Sequence, residues 1–182
     1  MPVLKTCLVV GLCALASAAT AGEYCVYGGG TQAFRSSEAC ASSFLNPQNG
    51  NRYDIRSLFD GNTDTAWCEG VKGHGIGETI YFEWADAAPL KGLFITNGYT
   101  KNKETWTKNA RIRELGIRVW DRSWPKGRSF TIRLQDSPLE EEILLPWRVN
   151  NPERLRLTIK SVYPGSKWQD TCVSEVWANF GF

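Results

Sequence analysis

The sequence is poor in the residues that carry most metal and acid–base chemistry. It has 182 residues with one His and one Met, and 21 Lys and Arg nearly balance 19 Asp and Glu for a net charge of +2. A single His excludes a multi-His metal site and leaves only His74 as partner for a nucleophilic Ser or Cys. The small net charge disfavours a dedicated nucleic-acid binder, because such proteins carry a basic surplus.

Long apolar runs are also lacking, and the one strongly apolar segment stands at the N-terminus. Lys5 precedes an apolar run at residues 7–15, which is short for a bilayer-spanning helix, and small residues at 19–21 fit a cleavage site. We predict a signal peptide at residues 1–21 and a secreted or periplasmic protein with no transmembrane anchor after cleavage. The alternative is an uncleaved membrane anchor.

Cysteine is present in a number that suits an exported chain. Beyond the predicted signal peptide the cysteines are Cys25, Cys40, Cys68 and Cys172. Four cysteines in an oxidising compartment indicate two disulfides, and three pairings are possible.

A helical apolar stripe is absent, whereas a period of two recurs along the chain. Ile80, Phe82 and Trp84 alternate with Thr79 and other neighbours, and similar patterns follow at residues 115–119, 130–134 and 155–159. Such alternation predicts seven or eight half-buried antiparallel strands without crossover helices. The predicted fold is all-β: an irregular N-terminal segment at residues 22–52 followed by a single β-sandwich jelly roll at residues 53–182.

Two segments could imitate catalytic or nucleotide-binding motifs. The glycine-rich run at residues 73–77 lacks the spacing of a dinucleotide fingerprint or a phosphate loop, so it predicts a turn that contains a solvated His74. Asp60 and Asp64 could serve as paired carboxylates of a small hydrolase, but acidic residues so close in sequence are typical of turns. Catalysis is therefore disfavoured.

The turn from Asp60 to Thr65 offers oxygen atoms at alternate positions, as a hard cation such as Ca²⁺ prefers. It is not an EF-hand, because its sixth position holds Thr65 rather than Gly and its twelfth holds Val71 rather than Glu. The alternative is a hydrogen-bonded β-turn without metal.

Residues 100–128 form the most basic segment, with nine Lys and Arg against three Asp and Glu, and Tyr99, Trp106, Trp120 and Trp124 are interleaved with them. Such a segment could bind nucleic acid or an anionic glycan. The alternative is a solvated sheet face, whose charge is offset by acidic residues downstream. Export favours that alternative over nucleic acid.

Several strings in this order resemble a known family. Residues 58–67, LFDGNTDTAW, resemble the DGxxxTxW segment of galactose-binding-like, discoidin-type domains. Strings at residues 67–78, 97–99, 108–113 and 162–171 are similar to the NADase-type glycan-binding domain, a non-catalytic module of that superfamily. The resemblance covers residues 53–177. It implies a jelly-roll sandwich that binds carbohydrate and does not hydrolyse it.

The resemblance also implies a structural Ca²⁺ near this turn. Carried over by motif, the ligands are the carboxylate of Asp60, the carbonyl of Asn62, Thr65 and Glu175, with the carbonyl of Ser57 as a further ligand. This ligand arrangement would also bring Cys68 and Cys172 close together. We therefore predict the disulfides Cys68–Cys172 and Cys25–Cys40.

Sugar-binding modules of this fold use loops at one end of the sandwich, where an aromatic ring stacks on a pyranose and polar side chains bond its hydroxyls. Trp67 is predicted to be core. The predicted sugar-contacting residues are Tyr99, Lys101, Asn102, Trp106, Asn109 and Arg111, with Lys167 and Trp168 as a second group. The predicted function is an exported, non-catalytic glycan-binding module. The alternative is a protein–protein adaptor in a secreted or envelope complex, with a secreted or cell-surface protein as its partner.

Overall fold

Alternating apolar side chains place most of the chain in strands. The computed structural model describes residues 24–28 and 34–181, and these contain ten strands, a 3-10 helix η1 and a short helix α1. In chain order the elements are β1 (Tyr24–Gly28), β2 (Phe34–Ala41), η1 (Ile55–Leu58), β3 (Trp67–Cys68), β4 (Thr79–Ala87), β5 (Leu90–Asn97), α1 (Lys103–Lys108), β6 (Arg111–Asp121), β7 (Trp124–Arg133), β8 (Glu140–Val149), β9 (Pro152–Tyr163) and β10 (Cys172–Asn179).

The strands form two antiparallel sheets. One has six strands in the order β1-β2-β4-β9-β6-β7, and the other has four in the order β3-β10-β5-β8. Their inward side chains form one large core, which includes Leu93, Ile95, Leu115, Ile117 and Leu157. The sheets bury these alternate residues against each other, as expected for a sandwich. The predicted all-β sandwich is confirmed.

The N-terminal segment differs from the prediction. Residues 22–52 are not irregular throughout, because β1 and β2 form a hairpin that extends the six-stranded sheet through pairing of β2 with β4. The inward residues of β2 include Ala39 and Ala41, which are buried but small. Small inward side chains give a weak apolar alternation, so the sequence of β2 does not show a clear period of two.

Both predicted disulfides are confirmed. Cys25 lies opposite Cys40 in the β1–β2 hairpin, and Cys68 lies opposite Cys172 where β3 pairs with β10. Their sequence separations are 15 and 104 residues. The second bridge therefore ties β3 to the last strand, β10.

The predicted signal peptide at residues 1–21 lies outside the described residues. Within the described part of the chain, no helix has the length and apolar composition needed to cross a bilayer.

Candidate functional site

The turn that follows η1 is organised around the carboxylate of Asp60. Asp60 Oδ1 accepts a hydrogen bond from the Asn62 backbone N–H at 2.9 Å, and both carboxylate oxygens accept from Thr65 Oγ1 at 3.0 and 2.8 Å. Gly61 has a φ of +71°, which glycine adopts without the strain that a Cβ would add. The sequence offered a hydrogen-bonded turn and a cation site as alternatives. The two are compatible, because the hydrogen bonds of the turn also bring its oxygen atoms together.

Strand β10 brings a second carboxylate to this turn. Glu175 Oε1 accepts the Asn62 N–H at 2.8 Å, whereas its buried Oε2 has no hydrogen-bond partner among the described residues. Burial, and also the negative charge of nearby Asp60, raises the pKa of Glu175 to about 7. Two adjacent carboxylates repel each other, and a buried oxygen without a hydrogen-bond partner is energetically unfavourable. A bound cation would relieve both effects.

Hydrogen bonds link four of the five predicted metal ligands, namely Asp60, Asn62, Thr65 and Glu175. Ser57 lies in η1, which packs against β10, and its buried Oγ also lacks a hydrogen-bond partner among the described residues. Asp60, Asn62, Thr65 and Glu175 present oxygen atoms alone, and such a donor set fits a hard cation such as Ca²⁺. A second cluster of potential ligands, at Cys25, Glu38 and Cys40, does not fit, because the two sulfur atoms form a disulfide.

Three of the predicted sugar-contacting residues are buried. Tyr99 packs edge-on against Tyr53, with ring centroids 6.2 Å apart, and the Asn109 side chain donates to the Thr105 carbonyl at 2.9 Å. Arg111 is also buried. In the structure these side chains make internal contacts that shape the end of the sandwich.

Arg111, at the start of β6, contacts Trp106 of α1. The Arg111 guanidinium lies 4.3 Å from the Trp106 ring centroid and donates to both carboxylate oxygens of Asp136 at 2.8 and 3.1 Å. Trp106 Nε1 in turn donates to the Asn97 carbonyl at 3.0 Å. One face of the Trp106 ring is therefore covered by a guanidinium.

The exposed residues among the predictions lie just before α1 and on the loop before β10. Asn102 is the N-cap of α1, where its side chain accepts the Thr105 N–H at 2.9 Å. Lys101, Lys167 and Trp168 are exposed, and Trp168 retains 39% of its surface. The ammonium groups of Lys167 and Lys108 lie 5.0 and 5.6 Å from the Trp168 ring centroid.

Backbone hydrogen bonds hold the exposed loop against the helix. The Trp168 N–H donates to the Lys108 carbonyl at 2.8 Å, and the Ser166 N–H donates to the Thr107 carbonyl at 3.0 Å. We call the group Lys101, Lys108, Lys167 and Trp168 the loop patch. Lys108 was missed as a site residue, and α1 itself was missed, although Asn102 followed by Thr105 is the spacing of a capping box.

Beside the loop patch, a buried carboxylate fastens β3 to the chain before β10. Glu69 accepts the backbone N–H of Thr171 at 3.1 Å and that of Val71 at 2.9 Å, and its burial raises its pKa to about 7. His74 Nδ1 lies 3.0 Å from the Gln169 carbonyl, and the His74 carbonyl accepts from Thr171 Oγ1. His74 and Glu69 thus connect the glycine-rich turn to the base of the loop patch.

Trp67 is core, as predicted. It is fully buried, and its Nε1 donates to the Ser43 carbonyl at 2.9 Å. The tryptophan of the turn motif therefore supports the turn from behind and is not available to a ligand.

The two-sheet sandwich and its acidic turn define a discoidin-like, F5/8 type C domain. The model of one family of such domains, the NAD glycohydrolase translocation F5/8 type C domain, matches residues 26–179. The chain belongs to this family. The match confirms the resemblance seen in the sequence and extends it back into β1.

Solved structures with this fold come from several bacteria. The chain is 14% identical to the family 32 carbohydrate-binding module of Clostridium perfringens NanJ in complex with galactose (TM-score 0.53, covering 78% of this chain and 92% of that one). It is 9% identical to the corresponding module of Streptococcus pneumoniae EndoD (TM-score 0.57, 77% and 94%). The mycobacterial arabinofuranosyltransferase AftD is 16% identical (TM-score 0.55), with 85% of this chain but 11% of AftD covered. No curated protein sequence matches. These likenesses show the fold.

Proposed function

We propose that the protein is an exported, non-catalytic module that binds carbohydrate through the loop patch. The observation that carries the proposal is the exposed ring of Trp168 with two lysine ammonium groups near it, at the loop end of an F5/8 type C sandwich. The fold is shared with carbohydrate-binding modules, one of which was solved with galactose. Membership of a translocation-domain family favours binding over catalysis.

The chemistry of the patch suits a sugar. An exposed indole ring stacks on the apolar face of a pyranose, and ammonium groups donate hydrogen bonds to its hydroxyls. The backbone N–H of Trp168 donates to the Lys108 carbonyl, so the main chain that carries the ring is held in place before ligand arrives. Preorganisation of this kind lowers the entropic cost of binding.

A glycan array with the mature protein tests this proposal. Trp168→Ala should weaken binding to the selected glycan about tenfold or more, because the stacking surface is removed. Trp177 is the matched control, since it is equally exposed at 39% but lies on β10. Trp177→Ala should leave the affinity unchanged. The absence of binding to any glycan, or an equal loss in both variants, would contradict the proposal.

We further propose that the Asp60–Thr65 turn holds a structural Ca²⁺. The ligands would be the oxygens of Asp60, Asn62, Thr65 and Glu175, together with the carbonyl of Ser57. The unpartnered Oε2 of Glu175 and its raised pKa support a cation at this place. The ion would neutralise the two carboxylates and fix the turn against β10.

The melting temperature with and without Ca²⁺ tests the metal site. An ion that binds only the folded state at about 100 times its Kd stabilises the protein by about 2.7 kcal/mol. The stabilisation should disappear in Glu175→Gln and persist in Glu153→Gln, a control on β9 that is not among the proposed ligands. A wild-type protein whose melting temperature does not respond to Ca²⁺ or to a chelator would refute the site.

One observation favours a protein partner as the second candidate. An apolar groove of about 740 Å³ opens between β1, β2, β4 and β10, and the exposed side chains of Tyr27 and Trp177 line it. An adaptor would use this groove rather than the loop patch. A stoichiometric partner that co-purifies with the wild type, resists competition by sugar and is lost in Tyr27→Ala/Trp177→Ala would favour this function.

A further inference from the structure

The outer face of the six-stranded sheet carries a trench that the proposed function does not use. The pleat turns alternate residues of β6, β7 and β9 outward, and register places Gly116 between Thr131 and Thr158. Because Gly116 has no side chain, a depression of about 360 Å³ forms above it. The other outward residues that line it are Arg118, Ser129, Arg156 and Lys160.

Three exposed cations border this trench, and none of them has a carboxylate partner within ion-pair distance among the described residues: Arg118, Arg156 and Lys160. Lys160 crosses the floor, since a Cβ built on Gly116 would lie 2.7 Å from Lys160 Cε. Because Gly116 has no side chain, the side chain of Lys160 can lie across the sheet at this position. The centre of the trench is strongly positive.

Acidic groups near the trench are engaged with other partners. Glu83 accepts from the Tyr81 hydroxyl at 2.6 Å and lies opposite Arg154 in the sheet. Glu114 accepts from Ser161 Oγ at 2.5 Å and lies opposite Arg133. Each of these carboxylates thus lies opposite a basic residue other than the three that border the trench.

The arrangement of the arginines works against the stability of the sheet. Arg118 lies directly opposite Arg156, and like charges in such a cross-strand position repel. Trp120 holds the two side by side, with guanidinium carbons 4.9 and 5.6 Å from its ring centroid. A bound anion would remove the repulsion that this geometry creates.

The lining of the trench indicates which kind of anion it accepts. The hydroxyls of Ser129, Thr131 and Thr158 lie among the cations, so the trench offers hydrogen bonds to sugar hydroxyls as well as charge to an acidic group. Single-stranded nucleic acid needs an open aromatic platform, whereas Trp120 is only 8% exposed beneath its arginines. A membrane surface needs apolar side chains for insertion, and the exposed large ones in the described chain lie outside β6, β7 and β9.

We propose that this trench is a second binding site, which holds the sulfate or carboxylate groups of an acidic polysaccharide through Arg118, Arg156 and Lys160. It does not rest on the loop patch and takes a different chemistry. The two sites lie on different parts of the sandwich, one on a sheet face and the other on loops.

Dextran sulfate and uncharged dextran form a matched pair of probes. The wild type should bind dextran sulfate and not dextran, with an affinity that falls as salt screens the charges. Arg118→Gln/Arg156→Gln/Lys160→Gln should weaken binding about tenfold or more. The control Lys72→Gln/Lys91→Gln/Arg148→Gln removes the same charge from exposed positions elsewhere and should change affinity by less than about threefold.

Gly116→Ala supplies a variant with no change in charge. Its Cβ would displace Lys160 and fill the floor, so we expect a loss of affinity of about threefold or more at an unaltered net charge. Near-ultraviolet circular dichroism verifies the fold of every variant. If the triple variant does not fold, Arg118→Gln alone and Gly116→Ala decide the matter.

Three results would overturn the proposal: no binding of dextran sulfate, equal losses in the two triple variants, or tighter binding of a single-stranded oligonucleotide through the same three residues. Failure of the trench is distinguishable from failure of the loop patch. The loop patch is tested by Trp168→Ala with uncharged glycans, which the trench variants should still bind.

Discussion

The loop patch and the outer sheet face both surround a tryptophan with cationic side chains, but they expose the ring differently. Trp168 is 39% exposed, with lysine ammonium groups 5.0 and 5.6 Å from its ring centroid, whereas Trp120 is 8% exposed, with arginine guanidinium carbons at 4.9 and 5.1 Å. An exposed ring can stack on a ligand, while a covered ring can only align the groups that cover it. The same residue types therefore give a stacking surface in one place and a charge platform in the other.

The two regions also differ in what holds them. Trp120 and its arginines follow the pleat of β6 and β9, so their order is set by a ladder of backbone hydrogen bonds. The loop patch depends on a few long-range connections, namely the Cys68–Cys172 bridge, Glu69 and the backbone hydrogen bonds to α1. We therefore expect single changes to disturb the loop patch more easily than the sheet face.

Removal of the Cys68–Cys172 bridge, which supports the loop patch, should cause the largest loss in the free energy of unfolding. In the chain-entropy model, a bridge with a separation of 104 residues contributes about 4–5 kcal/mol, against about 3 kcal/mol for the 15-residue separation of Cys25–Cys40. Chemical denaturation of Cys68→Ala/Cys172→Ala and of Cys25→Ala/Cys40→Ala measures both. A larger loss from the shorter loop would contradict the expected order.

Tryptophan truncation should separate the two regions next. Trp120→Ala uncovers the space beneath the arginines and should lower the free energy of unfolding by about 3 kcal/mol, as for other buried aromatic residues. Trp168→Ala removes an exposed ring and should cost no more than about 0.5 kcal/mol. Urea denaturation of the two variants checks this. Equal losses would mean that the exposed ring is structural rather than a ligand surface.

Sequence reasoning succeeded where the signal is local. Alternating residues such as Ile80, Phe82 and Trp84 predicted the sandwich because a strand shows its buried face directly in the sequence. It was wrong for the N-terminal segment, where small Ala39 and Ala41 give little apolar contrast. The short helix α1 was missed because its six residues are too few for a 3.6-residue stripe, which left only the cap at Asn102 as a signal.

Site residues were harder to predict because exposure depends on distant partners. Arg111 and Trp106 have the composition of a sugar site, yet Asp136, 25 residues away, binds the guanidinium and fixes it over the ring. No residue near Glu69 in the sequence predicts the hydrogen bond that its carboxylate accepts from Thr171 N–H, because the two residues are 102 positions apart. By contrast, the turn from Asp60 to Thr65 is contiguous, so its cluster of oxygen atoms could be predicted.

The pH dependence of stability should be traceable in part to Glu69. Its pKa is raised to about 7 in the folded protein by burial, above the 4.5 of an unperturbed Glu. Between these values the native carboxyl holds a proton that the unfolded chain has released, so stability falls as pH rises through this window. One pKa unit corresponds to about 1.4 kcal/mol, and the expected loss is on the order of 1–3 kcal/mol.

Denaturation of Glu69→Gln from pH 4.5 to 8 isolates this contribution. The variant loses a backbone hydrogen bond and is less stable overall, but its stability should vary less with pH because the titrating group is gone. The slope, rather than the absolute stability, is the measurement. A wild type and a variant with the same slope would exclude Glu69 as the titrating group.

The smallest expected effect concerns the ion pair that fixes Arg111 over Trp106. Asp136→Asn removes one charge from a bidentate pair whose carboxylate is partly exposed, so we expect a loss of about 1 kcal/mol. Glu153→Gln is the matched control, because its pairing with Arg122 at 3.8 Å is long and exposed and should contribute almost nothing.

Tryptophan fluorescence should also change in Asp136→Asn alone, since only there does a guanidinium leave an indole ring. An unaltered spectrum in Asp136→Asn would mean that the hydrogen bonds from Arg111 to the Trp106 and Asn109 carbonyls are enough to hold the guanidinium. The ordered end of the loop region would then depend on its backbone rather than on charge, as the sheet face does.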